Sequence, residues 1–263
     1  MSEPARFADR VAVVTGGNRG LGRAICLALA REGARVVVAA RGLDRSREVA
    51  EAIGREGGQA LALPLDVADP QSVQAMVAQV EARWGQVDVL VNNAGIQGKV
   101  DWVVNFEPEE WDRIMAINLR GPFLCCRVVL PGMIARRSGK ILNVAAGVQD
   151  ERVDYGVAAY YASKAGLINF TRQLAAEVRR YGVFVNAMDP GGLDTAMSDE
   201  IIKVEEASDE FGGTQTNRNP ALRLRQPEEI VPMALFLLSK DSDMMTGRLL
   251  QASSRDDVQY LQL

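Results

Sequence analysis

Tyr160 and Lys164 have the types and the spacing of a pair that moves protons. Four positions apart on a helix, they share one face, so an ammonium can lie beside a phenol and favour its ionised form. A phenol with an ordinary pKa of about 10 is a poor base at neutral pH without such help. The chain contains no histidine, which excludes Ser-His-Asp hydrolases and most imidazole acid-base schemes. The pair therefore predicts proton transfer by a tyrosine.

A glycine-rich segment, TGGNRGLG, spans Thr15 to Gly22 and follows the first short apolar run of the chain. Gly16, Gly20 and Gly22 permit a tight turn, close approach of a pyrophosphate to the backbone and close packing of a helix on a strand. Such a loop is also compatible with an ordinary turn. Its position between a strand and a helix favours dinucleotide binding.

Apolar runs alternate with helical segments along the chain. The predicted strands are 11–14, 35–40, 60–65, 87–91, 140–144, 183–188 and 248–251. The predicted helices are 21–31, 44–55, 70–84, 107–136 with an interruption near Gly121 and Pro122, 158–180, and one that begins at 226–227. Strands that are apolar throughout, each returning through a helix, are typical of an α/β fold with a doubly wound parallel sheet and helices on both faces. We expect residues 1–263 to form a single domain, with the polar segment 196–226 as a flap over the substrate.

Composition excludes several other classes of protein. The chain has 263 residues, is 48% hydrophobic and carries a formal net charge of −4 with scattered basic residues, so we expect no nucleic-acid partner. Its longest apolar runs are shorter than the roughly 20 residues of a membrane span, and its N-terminus has no apolar signal core, so we expect a cytoplasmic protein with no membrane partner. Cys26, Cys125 and Cys126 lack the spacing of a metal site.

Five motifs occur in order along the chain. They are TGxxxGxG at 15–22, NNAG at 92–95, Asn118 in MAINLRG, YxxxK at 160–164, and Pro190-Gly191. In these motifs the chain resembles the short-chain dehydrogenase/reductase family, and specifically its single-domain "classical" branch. The resemblance implies a Rossmann fold with a seven-stranded sheet. It also implies an oxidoreductase, a carbonyl reductase or alcohol dehydrogenase, that transfers hydride between a nicotinamide and a ketone or secondary alcohol.

The resemblance also assigns roles to single residues. Tyr160 would exchange the proton of the substrate oxygen, Lys164 would hold the nicotinamide ribose, and Asn118 would hold a water that links Lys164 to solvent. The predicted cofactor-binding residues are Gly16, Asn18, Arg19, Gly20, Leu21, Arg41, Asp66, Val67, Asn93, Ala94, Gly95, Tyr160, Lys164, Pro190, Gly191, Leu193 and Thr195. The family commonly forms homodimers and homotetramers through helices that match 109–136 and 158–180, so the same assembly is expected here.

The choice of cofactor is argued from charge. An acidic residue at the end of the second strand selects NAD in this family, whereas this chain has Ala40 followed by Arg41. A guanidinium there, together with Arg19 in the glycine loop, would pair with a 2′-phosphate. We therefore expect NADP(H). The alternative is that both arginines are solvated surface residues.

One member of the family's proton machinery is missing. The family has a serine after the fifth strand, but alignment on Asn143 places Ala146 there, and counting back 13 positions from Tyr160 gives Gly147. Loss of one donor to an oxyanion costs on the order of 10²-fold in rate. Three explanations remain open: another donor such as Gln149 or Tyr155 replaces the serine, the alanine is an inactivating substitution, or the protein binds NADP(H) without turnover as a sensor or scaffold.

The loop after the fifth strand is charged. Residues 149–155, together with Gln97, Lys99 and Asp101, indicate a polar small-molecule substrate, although a charged loop can equally be solvated. Asp189 is a further departure from the family, since small residues are usual before the Pro-Gly turn. Phe184 lies in the sixth predicted strand, at a position where the family often has arginine. The chain also lacks the glycine pair that the family usually has after the last strand.

Overall fold

The computed structural model of the chain describes residues 5–146, 156–194 and 224–252. Within these ranges, seven strands form one parallel sheet in the order β3-β2-β1-β4-β5-β6-β7. The strands are β1 (Val11–Thr15), β2 (Arg35–Ala40), β3 (Gln59–Pro64), β4 (Val89–Asn92), β5 (Gly139–Val144), β6 (Val183–Asp189) and β7 (Leu249–Gln251). The helices are α1 (Gly20–Arg31), α2 (Leu43–Arg55), α3 (Pro70–Trp84), α4 (Pro108–Met115), α5 (Gly121–Arg136), α6 (Ala158–Val178) and α7 (Pro227–Leu238). The prediction of a doubly wound α/β Rossmann fold is confirmed.

Both faces of the sheet are buried, because successive residues of each strand point to opposite sides. On one side Ala12 and Val14 of β1 pack in a cluster with residues of α1, α2 and α7. On the other side Val11 and Val13 pack in a cluster with residues of α3, α5 and α6. These two layers account for the uninterrupted apolar runs that predicted the strands.

Local signals set the ends of α3 as the sequence predicts. Asp69 caps the helix, since its carboxylate accepts a hydrogen bond from the N–H of Gln71 at 3.0 Å, and Pro70 occupies the first turn. Gly85 ends it in the left-handed conformation, with φ of 84°. This helix returns the chain to β4 in the centre of the sheet.

A π-helical segment, Ala116–Arg120, lies between α4 and α5. The N–H of Gly121 donates to the carbonyl of Ala116, five residues earlier instead of four. Pro122 has no N–H, so it cannot donate to the carbonyl of Asn118 as an α-helix requires. The expected interruption near Gly121 and Pro122 is therefore real, and it includes Asn118.

The segment Pro108–Arg136 is long and apolar enough, by length and composition, to match a membrane span. Its buried residues, however, contact the sheet: Leu124, Cys126, Val129 and Met133 lie in the cluster with α3 and α6. Helices in the core of a domain commonly have this length and composition, so packing against the sheet explains the apolar character of the segment.

The order of the strands creates a crevice. The chain leaves β1 towards β2 and β3 on one side, and continues through β4 to β7 on the other. In open α/β sheets, ligands bind outside the carboxyl ends of the strands at such a reversal. The loops after β1 and β4 meet there, and they carry the glycine loop and the NNAG motif.

Candidate active site

Thr15, the last residue of β1, holds the glycine loop and the NNAG motif together. Its hydroxyl oxygen accepts hydrogen bonds from the N–H groups of Asn93 and Ala94, both at 3.0 Å, and donates to the carbonyl of Val91 at 3.3 Å. The side-chain amide of Asn93 donates in return to the carbonyls of Thr15 and Gly16, at 3.0 and 3.2 Å. Thr15 was not predicted as a site residue, although it begins the glycine motif.

The conformation and packing of the glycine loop disfavour side chains at its three motif glycines, Gly16, Gly20 and Gly22. Gly16 and Gly20 have φ of 64° and 50°, a conformation that favours glycine. A methyl group at Gly22 would overlap the carbonyl oxygen of Gly16 and lie 2.5 Å from the amide nitrogen of Asn93. Helix α1 begins after Arg19 with no side-chain cap and no acidic residue in its first turn. Its N–H groups, including that of Leu21, therefore suit an anion such as a pyrophosphate.

The two candidate arginines lie on adjacent loops. The side-chain amide of Asn18 donates to the carbonyl of Gly42 at 3.4 Å, which joins the glycine loop to the loop after β2. Arg19 and Arg41 are exposed on these loops. The nearest acidic residue along the chain is Asp44, which is exposed in the first turn of α2. The residues present therefore fit a phosphate on the adenosine ribose better than a bare ribose hydroxyl pair.

Asp66 and Val67 follow β3 on the same edge of the sheet. The carboxylate of Asp66 accepts from the N–H of Ala68 at 2.9 Å and is otherwise exposed. Val67 is buried against Gly121, where a methyl group would lie 2.9 Å from its Cγ2 atom. This placement is compatible with the predicted contact to an adenine ring.

Lys164, Asn118 and Gly95 converge beside the end of β5. The ammonium of Lys164 donates to the carbonyl of Val144 at 2.8 Å and lies 5.7 Å from the ring centroid of Tyr160. A methyl group at Gly95 would lie 3.4 Å from the Lys164 Nζ atom and 3.3 Å from the Asn118 Oδ1 atom. Gly95 thus lets the NNAG loop approach the predicted catalytic residues closely.

The side chain of Asn118 is fixed by its neighbours. Its oxygen accepts from the N–H of Ile96 at 2.9 Å, and its nitrogen donates to the Ile96 carbonyl at 2.7 Å and to the hydroxyl of Ser163 at 3.1 Å. Ser163 in turn donates to the carbonyl of Tyr160 at 2.6 Å. The π-helical segment is therefore tied to α6 at Ser163, the residue before Lys164. Sequence reasoning missed Ser163, although it lies inside the YxxxK motif.

A buried polar chain sets the position of α6 on the sheet. The amide of Asn92 donates to Asn143 at 2.8 Å, Asn143 donates to the hydroxyl of Thr171 at 2.8 Å, and Thr171 donates to the carbonyl of Leu167. These residues belong to β4, β5 and α6 and are almost completely buried. The side-chain oxygen of Asn92 is buried without a hydrogen-bond partner, whereas the other bonds of the chain join the three elements and favour one packing arrangement. The asparagines inside two apolar strands were the sequence signal for this network.

Burial opposes the effect that the spacing of Tyr160 and Lys164 suggested. The pKa of Tyr160 is raised above its usual value, first by loss of solvation and then by the negative charge of Asp189. Burial also lowers the pKa of Lys164 to about 8, while Asp189 acts in the opposite direction. The expectation that Lys164 makes Tyr160 more acidic is therefore wrong for this arrangement. With this pKa, Tyr160 carries its proton at neutral pH.

Ala146 follows the part of β5 that holds Lys164. It lies two residues after Val144, whose carbonyl accepts from Lys164, and Ala145 pairs with β6 through the carbonyl of Met188 at 2.7 Å. Neither alanine has a side chain that can donate to a substrate oxygen. The candidate replacements Gln149 and Tyr155, like Gly147, lie outside the described residues.

The turn after β6 lies at the same carboxyl edge of the sheet as the glycine loop and the NNAG motif. Pro190 is buried, and Gly191 has φ of 66°, a conformation that favours glycine. Leu193 is 9% exposed and pairs with Arg225 across a short bridge. Thr195 and residues 196–223 of the predicted flap lie outside the described residues.

The charged residues after NNAG contact each other. Lys99 forms an ion pair with Asp101, and the N–H of Lys99 donates to the carboxylate of Glu110 at 3.0 Å. Both charges of the pair are thereby satisfied within the loop. These contacts are explained by a charged, solvated loop. They do not support the prediction that Lys99 and Asp101 bind a polar substrate.

A glycine loop at the crevice of a doubly wound sheet, opposite a partly buried tyrosine and a buried lysine, defines a dinucleotide-binding protein. The profile of the family described as short chain dehydrogenase matches residues 10–206. The chain belongs to this family of oxidoreductases.

Curated relatives and solved structures of the family resemble the chain over nearly its whole length. It is 36% identical over 244 residues to the oxidoreductase YxbG of Bacillus subtilis (strain 168), which covers 92% of this chain and 89% of the relative. It is 35% identical over 243 residues to the 3-oxoacyl-[acyl-carrier-protein] reductase FabG of Staphylococcus aureus (strain Mu50 / ATCC 700699), covering 92% and 96%. A gluconate 5-dehydrogenase from Burkholderia cenocepacia J2315, solved in complex with NADP and tartrate, has a TM-score of 0.84 and 33% identity, covering 95% of this chain and 96% of that one.

Proposed function

We propose that the protein is an NADP(H)-dependent oxidoreductase that interconverts a polar ketone and the corresponding secondary alcohol. The observation that carries this proposal is the convergence of Tyr160, Lys164 and Asn118 beside Gly95, at the edge where the glycine loop opens. A chain that only bound a nucleotide could use Lys164 to hold the ribose, but would have no need of a phenol beside that lysine.

The residues divide the work between binding and proton transfer. Bound NADPH would supply a hydride at its nicotinamide carbon. Tyr160 holds the proton that the carbonyl oxygen takes up, and its raised pKa keeps that proton in place at neutral pH. The backbone of the glycine loop and the N-terminus of α1 would bind the pyrophosphate, while Lys164 is placed to orient the ribose beside Gly95. Because the phenol keeps its proton at neutral pH, Tyr160 is in the protonation state that carbonyl reduction requires.

NADP(H) is the cofactor that the charges favour. Arg19 and Arg41 lie on loops joined through Asn18 and Gly42, and alanine occupies the strand end where an acidic residue would select NAD. The B. cenocepacia relative, at 33% identity, was solved with NADP. A guanidinium pairs with a phosphate more strongly than with a hydroxyl group.

Ala146 is the one feature that favours a second function, a protein that binds NADP(H) without turnover. It removes a donor to the substrate oxygen, which lowers a rate on the order of 10²-fold. The intact set of Tyr160, Lys164 and Asn118 favours the reductase over this alternative.

Ala146→Ser distinguishes the two functions. We expect the variant to raise the rate of ketone-dependent NADPH oxidation about 100-fold, because the hydroxyl supplies the missing hydrogen bond. Ala145→Ser is the matched control: Ala145 is 2% exposed and packs with Ile168 and Ala187, so its hydroxyl would point into the core. A reductase is contradicted if both serine variants bind NADPH and remain inert with every ketone in a broad panel.

A further inference from the structure

Asp189 points towards the catalytic residues from the end of β6. Along this strand, Val185 packs in the cluster with α6, and Ala187 packs against Ile168 of α6. Because side chains alternate along a strand, Asp189 faces the same side as these two residues. It is close enough to act electrostatically on both Tyr160 and Lys164.

The carboxylate of Asp189 is buried and has acceptor capacity to spare. The residue is 7% exposed. One oxygen accepts from the N–H of Gly191 at 2.9 Å and the other from the side-chain amide of Gln251 at 3.3 Å. An ionised carboxylate can accept about four hydrogen bonds. Within residues 5–146, 156–194 and 224–252, the structure records no ion pair between Asp189 and a lysine or arginine.

The surroundings of Asp189 show what it could recognise. The neighbouring strand β5 runs into Ala145 and Ala146, which carry only methyl groups. Because Ala145 packs into the core, the strand ends near Tyr160 offer a substrate only the methyl group of Ala146 and the carboxylate of Asp189. Two of the roughly four acceptor positions of the carboxylate are filled, so a ligand that brings a donor can fill another, whereas a ligand carboxylate adds repulsion.

We propose that Asp189 is a specificity-determining residue that accepts a hydrogen bond from a hydroxyl or ammonium group on the carbon next to the reacting carbonyl. The substrate class is then α-hydroxy or α-amino ketones, with their reduced diols or amino alcohols. This inference rests on the proposed reductase function and narrows its substrate. The adjacent carbon is chosen because Asp189 acts on both Tyr160 and Lys164, so a group it contacts should lie close to the reacting carbonyl.

Asp189 also has a local structural role that the test must separate. Its bond to the N–H of Gly191, two residues on, is an Asx turn that shapes the Pro-Gly segment. Asp189→Asn keeps an oxygen for this turn and removes the charge, whereas Asp189→Ala removes both. Asp243→Asn is the control, since Asp243 is half exposed and pairs with Lys140 at the opposite, amino end of β5.

The experiment compares four small ketones that differ at one position: hydroxyacetone, aminoacetone, butanone and pyruvate. For each protein, kcat/KM is measured with NADPH, and NADPH binding is titrated to show that the site is folded. We expect wild-type protein to prefer hydroxyacetone and aminoacetone over butanone by about 10-fold or more, the value of one charge-assisted hydrogen bond. Pyruvate should be the poorest substrate.

The variants separate charge from hydrogen bonding. Asp189→Ala should reduce the preference to about one, and Asp243→Asn should leave it unchanged. Asp189→Asn should keep a preference for hydroxyacetone if a hydroxyl is recognised, and lose the preference for aminoacetone. Equal preference in wild type and both Asp189 variants, with turnover intact, overturns the role of Asp189 alone. Wild-type protein that binds NADPH but reduces none of the four ketones contradicts the proposed function as well.

Discussion

At the scale of single residues, spacing predicted that Tyr160 and Lys164 lie close together, but it did not predict their pKa shifts. Tyr160 and Lys164 were predictable because a four-residue interval places two side chains on one helix face. The raised pKa of Tyr160 was not predictable, because it depends on burial and on Asp189, which is distant along the chain. Thr15 and Ser163 act through contacts between elements, which spacing alone does not reveal.

Replacing the buried lysine should stabilise the protein. Burial lowers the pKa of Lys164 from 10.5 to about 8, so the native state disfavours its charge by about 3 kcal/mol. Lys164→Met removes this penalty but loses the bond to Val144, worth about 1 kcal/mol. We expect the free energy of unfolding without cofactor at pH 7 to rise by about 2 kcal/mol, measured by urea denaturation.

The pH dependence of the free energy of unfolding shows whether burial of the Lys164 charge causes the expected stabilisation of Lys164→Met. Below pH 8 the lysine is charged in both folded and unfolded states, so the wild type carries the full penalty. Between pH 8 and 10.5 the folded lysine is neutral while the unfolded one is still charged, so the penalty fades and the gain should shrink. The exposed Lys240→Met is the control, expected within about 0.5 kcal/mol of wild type. A variant less stable than wild type at pH 7 would show that burial of the charge is not costly.

At the scale of elements, most boundaries could be predicted to within two residues. Apolar runs marked the strands, and Asp69, Pro70 and Gly85 marked the ends of α3, because caps and turns depend on local chemistry. The π-helical segment was expected only as an interruption. Its signal, a proline four residues after Asn118, was in the sequence, but the alternative hydrogen bonding depends on packing against α6.

The glycine loop offers a sharp test of the cofactor site. Gly22→Ala would place a methyl group against the Gly16 carbonyl and the Asn93 amide, both backed by Thr15. We expect NADPH affinity to fall by at least about 10-fold, measured by fluorescence titration. Gly54→Ala in α2 is the matched control, because no atom lies within 4 Å of the added methyl group. This control should bind NADPH normally and gain about 0.5 to 1 kcal/mol of stability. Unchanged affinity in Gly22→Ala would place the cofactor elsewhere.

At the scale of the whole molecule, the sheet brings together residues that are far apart along the chain. The alternation of strands and helices predicted that the loops after the strands would share one edge. The order of the strands could not be derived from the residues themselves, since pairing between distant segments is a property of the complete fold. That order places the glycine loop beside Asn93 to Gly95. It also places Asp189, on the second strand after β4, within electrostatic range of Tyr160 and Lys164.

We propose that the protein assembles into dimers or tetramers through α5 and α6. Phe123 of α5 is 45% exposed and contacts Phe170 of α6 edge to face, with 6.3 Å between ring centroids. Phe123→Glu should shift the mass in analytical ultracentrifugation towards the monomer, because a carboxylate is costly in an apolar interface. Val104→Glu, at a position 89% exposed on another surface, should leave the mass unchanged. Identical masses for wild type and Phe123→Glu would contradict assembly through this face.

Binding of NADPH is the property on which the proposed chemistry depends most. Purified protein is titrated with NADPH and with NADH while the nicotinamide fluorescence is followed, and the titration is repeated with Arg41→Ala. We expect saturable binding, with NADPH bound at least about 10-fold more tightly than NADH, and most of that difference lost in the variant, since one guanidinium–phosphate pair is worth more than about 1.4 kcal/mol. Absence of any saturable response to NADPH, or tighter binding of NADH, would contradict an NADP(H)-dependent reductase.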